Sequence, residues 1–150
     1  MPTFTHHIFI CCNQREPGNC RGCCDPDGSE ALRNAFKVEV KKRRLGPLIR
    51  ANKAGCLDQC ELGPTVVIYP QGIWYGGVTL ADVPRIIEQT IIGGQVLEDL
   101  RIPEECLNNP ATRAAVIRDR QAADNRAAEK IATENIATDK IAATELPPPV

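Results

Sequence analysis

Apolar positions fall along the chain in runs of two kinds. Thr5–Ile10 is short, apolar and rich in β-branched and aromatic residues, and reads as a buried strand. Thr65–Tyr69 (Thr-Val-Val-Ile-Tyr) is a second such run. Ile73–Tyr75 is its expected partner across the turn Pro70-Gln71-Gly72. Leu48–Ala51 is a shorter strand candidate. Between these runs the period changes. Leu32, Phe36 and Val40 recur at intervals of four, which predicts a helix over Glu30–Leu45 with Ser29 as its cap. Lys41 to Arg44 crowd its last turn, where positive charge suits the helix dipole, and Gly46-Pro47 stops it. Val83, Ile86, Ile87, Thr90 and Ile91 stripe a second helix, Leu80–Ile92, with Thr79 as cap and Gly93-Gly94 as terminator. The order predicts an α/β layer: a parallel strand pair around a crossover helix, an antiparallel hairpin, and helices covering the sheet.

Beyond Pro110 the pattern is different. Five-residue units begin at Arg120, Asn125, Lys130, Asn135 and Lys140. Alanine and alternating charge favour a helix locally. A five-residue step advances about 500° around an α-helix, about 140° past a full turn. Ile131, Ile136 and Ile141 therefore spiral around the axis and form no stripe, which argues against a coiled coil or a membrane-surface helix. Pro147 to Pro149 end the segment. The expected organisation is a domain over 1–110 followed by a repetitive tail over 111–150, helical or disordered.

The bulk composition narrows the function. The chain has 150 residues, 43% hydrophobic and 25% charged, an ordinary globular balance. A net charge of −1 and 4% aromatic residues give no basic face or stacking platform for nucleic acid. No apolar run approaches the roughly 18 residues a membrane span needs. Met1–Cys12 has neither the basic start nor the long apolar stretch of a secretory signal, so a cytoplasmic location is expected. In that compartment thiols stay reduced, and eight cysteines read as metal ligands or redox groups.

The eight are Cys11, Cys12, Cys20, Cys23, Cys24, Cys56, Cys60 and Cys106. Five lie at the end of the first strand and in the loop after it, and two in the loop Gly55–Pro64. Both loops follow the C-terminal ends of strands expected to be parallel, so their sulfurs can converge on one iron–sulfur cluster. Such a cluster needs four soft thiolate donors, two for each iron of a [2Fe–2S] unit.

The motifs His7-Ile-Phe-Ile-Cys11, Arg21-Gly-Cys-Cys24, Gly55-Cys-Leu-Asp-Gln-Cys60 and Val67-Ile-Tyr-Pro70 resemble those of the thioredoxin-like [2Fe–2S] ferredoxins. The spacing agrees as well: 12 residues separate Cys11 from Cys24, 31 separate Cys24 from Cys56, and three separate Cys56 from Cys60. The resemblance covers Phe4 to Asn108. It implies a thioredoxin-like fold, a central mixed sheet with flanking helices. It also implies Cys11, Cys24, Cys56 and Cys60 as ligands, one-electron transfer between redox partner proteins rather than enzymatic turnover, and a homodimer. A related fold in a respiratory NADH dehydrogenase subunit adds a helical N-terminal domain. This chain starts at the strand, so a free-standing carrier is expected.

Two other chemistries suit parts of the pattern. Cys20-Arg-Gly-Cys23 is a C-x-x-C that a dithiol redox enzyme could use, but Cys-Asp-Pro-Asp-Gly separates it from the helix whose N-terminus would activate it. Zinc could take Cys20 and Cys23 as one knuckle and Cys56 and Cys60 as the other. Cys12 and Cys106 read as small, partly buried apolar residues. His6 and His7 read as structural, Lys41 to Arg44 as a solvated helix end, and Trp74 and Tyr75 as sheet packing or dimer contact.

Overall fold

The structure, a computed structural model, describes residues 3–142. Its four strands are β1 (His6–Cys11), β2 (Ile49–Ala54), β3 (Val66–Tyr69) and β4 (Ile73–Tyr75), in one sheet of order β2-β1-β3-β4. β1 runs parallel to β2 and antiparallel to β3, and β3 pairs antiparallel with β4. The crossover between β1 and β2 is helix α1 (Ala31–Lys42). Cys11 lies opposite Ala54 in the parallel register, so the loops after β1 and β2 leave the sheet side by side.

One face of the sheet carries the core. Ile8, Ile10, Val66, Ile68 and Tyr75 pack with Phe36 and Val40 of α1 and with Val83, Ile86, Ile87 and Ile91 of the following helix. Full burial of each such side chain contributes roughly 1.5–3 kcal/mol. The Tyr75 hydroxyl, fully buried, bonds Thr90 Oγ1 at 2.7 Å and accepts the Leu97 amide at 3.0 Å, so no polar atom is stranded there. The opposite face carries His7, Phe9, Val67, Tyr69 and Trp74. Phe9 meets Tyr69 edge-on and stacks on His7.

Three local features depart from the sequence expectation. Ser29 does not cap α1. Glu30 takes a left-handed conformation (φ 54°), and its amide donates to the buried Asp25 carboxylate at 3.2 Å. β2 runs on to Ala54 because it is an edge strand, where Asn52 and Lys53 can reach solvent. The second helix begins as α2 (Asp82–Arg85) and widens into π-helical turns over Ile86–Ile92, with the Gly93 amide reaching Glu88 O at 3.0 Å. Pro84 sits in its first turn, where a missing N–H costs little. The Asp82 carboxylate takes both the amide and the hydroxyl of Thr79, at 2.9 and 2.7 Å, but the capping position is Ala81 and the Thr79 side chain caps no helix amide.

The tail forms helix α3 (Pro110–Ala142), capped by the Asn109 side chain, which accepts the amides of Ala111 and Thr112. Every residue from Gln121 to Ile136 is exposed, including Ile131 and Ile136, as a five-residue step requires. The side chain of Ile141 and Pro147 to Pro149 lie outside the described residues. Among the described residues no helix is long and apolar enough to cross a membrane.

Candidate metal centre

The last residue of β1 is the anchor of the site. Cys11 is pinned on both sides: its amide donates to Thr65 O at 3.0 Å, and the next amide, of Cys12, donates to Ala54 O at 3.0 Å. From there the loop 12–30 folds back, held by the Asp25 amide on Asn13 O at 3.2 Å, which brings Cys24 beside Cys11. The third segment is the 3₁₀ turn Cys60–Leu62. Buried Thr65 steadies it by donating its hydroxyl to Gln59 O at 3.0 Å.

The sulfurs of Cys11, Cys24 and Cys60 all lie within 4.8 Å of one another, and all three residues are buried. Cys56 is exposed, with its sulfur 3.6 Å from that of Cys60. Of the four cysteines that the family resemblance implies, Cys11, Cys24 and Cys60 therefore converge, and Cys56 lies beside one of them. The others do not join them. Cys12 turns its thiol to Ile10 O at 3.5 Å, Cys20 is exposed, and Cys106 lies in a separate turn. Cys23 donates to Asn13 O at 3.0 Å and accepts the Arg15 amide at 3.2 Å. A Cys20–Cys23 knuckle facing Cys56 and Cys60 is thus not assembled, and neither thiol sits at the N-terminus of α1. Among the described residues all eight cysteines are free thiols.

The thiols differ sharply in acidity. Cys11 accepts a hydrogen bond from the Cys24 thiol and others from the Leu57 and Asn13 amides, and against the cost of burial is drawn down to about 6. Donating that hydrogen bond, together with burial, pushes Cys24 far up. Burial, with Cys56 alongside, raises Cys60 to about 11. A pocket that crowds four thiols resists full ionisation until a cation compensates the charge.

The surroundings suit a soft, multiply charged guest. Asp58 aims its amide at Cys56 Sγ (3.3 Å), and Asn13 Nδ2 lies 3.6 Å from Cys60 Sγ. Arg15 Nη2 donates to both Cys56 Sγ and Cys60 Sγ at 3.4 Å, while its Nε is buried without a protein partner. Gly63 leaves room where any side chain would strike Cys24. Three convergent thiols with a fourth beside them, donors aimed at sulfur and a guanidinium with one buried N–H still unpaired fit an all-cysteine iron–sulfur group.

Sequence reasoning missed the charged cluster beneath this site. Glu61, next to Cys60, is 3% exposed, with its carboxylate held between Arg21 (Nη2 at 3.1 Å) and Arg113. Burial alone would raise its pKa, but the bonds from Arg113 and Arg21 leave it below the usual carboxylate range. Arg21 also pairs with Asp58 at 2.7 Å. The signal was present as Asn109, Arg113, Val116 and Arg120, spaced three and four apart just before the repeats begin.

No protein-family model matches the chain. It is similar to the 2Fe-2S ferredoxin of Clostridium pasteurianum, 40% identical over 97 residues that span 65% of this chain and 95% of that one. The 2Fe-2S ferredoxin of Aquifex aeolicus (strain VF5) is 37% identical over 97 residues, 64% of this chain and 87% of that one. In three dimensions the chain superimposes on the crystal structure of the thioredoxin-like [2Fe-2S] ferredoxin from Aquifex aeolicus. The TM-score is 0.62 at 36% identity, covering 69% of this chain and all of that one.

Proposed function

The chain belongs to the thioredoxin-like [2Fe–2S] ferredoxins, and from that premise we propose that its cluster is held by the thiolates of Cys11, Cys24, Cys56 and Cys60. The protein is an electron carrier. When bound, the cluster supplies a one-electron couple, of low potential for all-cysteine ligation. The observation that carries the ligand set is the convergence of three buried sulfurs, with a fourth 3.6 Å from one of them, on loops that leave adjacent parallel strands. The chain's own residues bind and tune. Four thiols give up their protons, backbone amides hydrogen-bond the sulfurs, and the Arg15 guanidinium places positive charge at the Cys56 and Cys60 side. No side chain makes or breaks a bond, so the protein passes electrons between redox partner proteins and is not itself an enzyme.

The test is direct. Protein prepared without air should be brown-red, contain iron and acid-labile sulfide in equal amounts, and give a paramagnetic signal on reduction. Colourless protein holding zinc would overturn the reading.

We also infer a cytoplasmic location, a homodimer and a domain boundary at residue 110. Eight unpaired thiols support a reducing, cytoplasmic setting. The outer sheet face, where Tyr69 is exposed and Phe9 and Trp74 are half-buried, supports a homodimer formed across it, and sedimentation of Tyr69→Arg should then give a monomer. The domain over 1–110 holds all four ligands, and the tail over 111–150 follows it.

A further inference from the structure

The tail is not wholly separate from the site. Among the residues of α3 up to Ile136, the partly buried ones are confined to its first three turns. They include Arg113, Val116 and Arg120, and from Gln121 to Ile136 nothing is covered. Arg113 reaches the buried Glu61 carboxylate through Nε, and Asp58 O through Nη2 at 3.0 Å. Arg120 donates to Glu61 O at 2.8 Å. It lies over Gly22 so closely that a β-carbon at that position would collide with the guanidinium. The Gln59 side chain, 2% exposed, bonds Asn108 Oδ1 at 2.7 Å, just ahead of the helix. Asp58, Gln59 and Glu61 are the residues between and beside Cys56 and Cys60. Arg21, which shares Glu61 and Asp58, comes from the loop that carries Cys24.

We propose that Arg113 and Arg120 are positioning residues for the cluster: the first three turns of α3 fix the Cys56–Cys60 turn against the Cys24 loop. The inference rests on the ligand set proposed above. It concerns residues beyond the stretch Phe4–Asn108 that carries the family resemblance, so it is a device added to the common core. A guanidinium can span a carboxylate and a carbonyl at once, which is why two arginines suit the task. The working boundary of the functional unit then falls near Arg120 rather than at Pro110.

The experiment uses the full chain with its cluster. In Arg113→Ala/Arg120→Ala, release of the cluster to an iron chelator should be about tenfold to a hundredfold faster, the usual effect of losing support behind a ligand. The g-values of the reduced protein and its midpoint potential should shift as well, while Arg126→Ala, on the exposed stretch, changes none of these. Arg113→Lys keeps a cation on buried Glu61, so the chain folds, but loses the fork to Asp58 O. It should show the spectroscopic shift with an unchanged far-ultraviolet spectrum. If both Arg113 variants match the unaltered chain in release rate, g-values and potential, the inference falls. An unaltered chain without iron and sulfide would instead sink the ligand set itself.

Discussion

A β-carbon placed on Gly63 would lie 2.6 Å from the sulfur of Cys24 and 3.1 Å from the carbonyl of Cys60. Gly63 has an ordinary extended backbone (φ −77°), so it is glycine for space and not for conformation. Gly63→Ala must therefore displace a ligand sulfur or the turn carrying another. Overpacking of this kind costs about 1–3 kcal/mol. The variant should fold but hold less than a full complement of iron and sulfide, which metal analysis and visible circular dichroism will read.

Arg15 stands over the exposed side of the site with its guanidinium on two ligand sulfurs. A cation there favours the reduced, more negative state. Losing a bond worth about 1 kcal/mol lowers a one-electron potential by about 40 mV. Arg15→Gln should therefore show a more negative midpoint in an anaerobic titration with iron content unchanged. An unmoved or raised potential would remove Arg15 from the tuning role.

The cysteines divide into two sets by contact. Serine at Cys11, Cys24, Cys56 or Cys60 should shift or abolish the visible spectrum. Serine at Cys12, Cys20 or Cys106 should leave it intact. Cys23→Ser should cost about 1 kcal/mol, since that thiol ties Asn13 O to the Arg15 amide, yet keep the cluster. Loss of colour in Cys20→Ser alone would refute the ligand set.

Acidity gives a separate handle on the cluster-free protein. With Cys60 raised to about 11 and Cys24 higher still, a binding cation must displace protons. Its affinity should rise with pH across the span from about 6 to about 9. Cobalt(II) titrations followed by thiolate charge-transfer absorption will measure this. An affinity indifferent to pH would mean the thiols are already ionised.

Ending the chain after Asp124 removes only residues beyond the clamp formed by Arg113 and Arg120. Thermal stability should stay within about 0.5 kcal/mol of the full chain, and the cluster signal should not change. A large loss would mean that the exposed part of α3 has a partner this fold does not show.

The division between what could be read in the sequence and what could not follows the range of the forces involved. The strands ending at Cys11 and leading to Cys56 are local patterns of apolar residues, and the ligand spacings lie in the chain itself. The cap of α1 falls at Glu30, one residue beyond Ser29, because the Asp25 carboxylate reaches the Glu30 amide only by folding its loop back. The π-helical turns after Arg85 leave the apolar stripe of Ile86, Ile87 and Ile91 unchanged, so periodicity does not reveal them. In the sequence Arg113 and Arg120 are simply two charges beside an alanine-rich repeat. Only the buried carboxylate of Glu61, some fifty residues away in the chain, gives them a purpose.

Of the four sulfurs, that of Cys56 alone belongs to an exposed residue, while Cys11, Cys24 and Cys60 sit behind protein. Tunnelling falls off steeply with the thickness of insulation, so with the ligand set proposed above the side of Cys56 is the expected doorway for traffic in both directions. A donor and an acceptor would then compete for one landing place, and each would have to leave before the other could arrive.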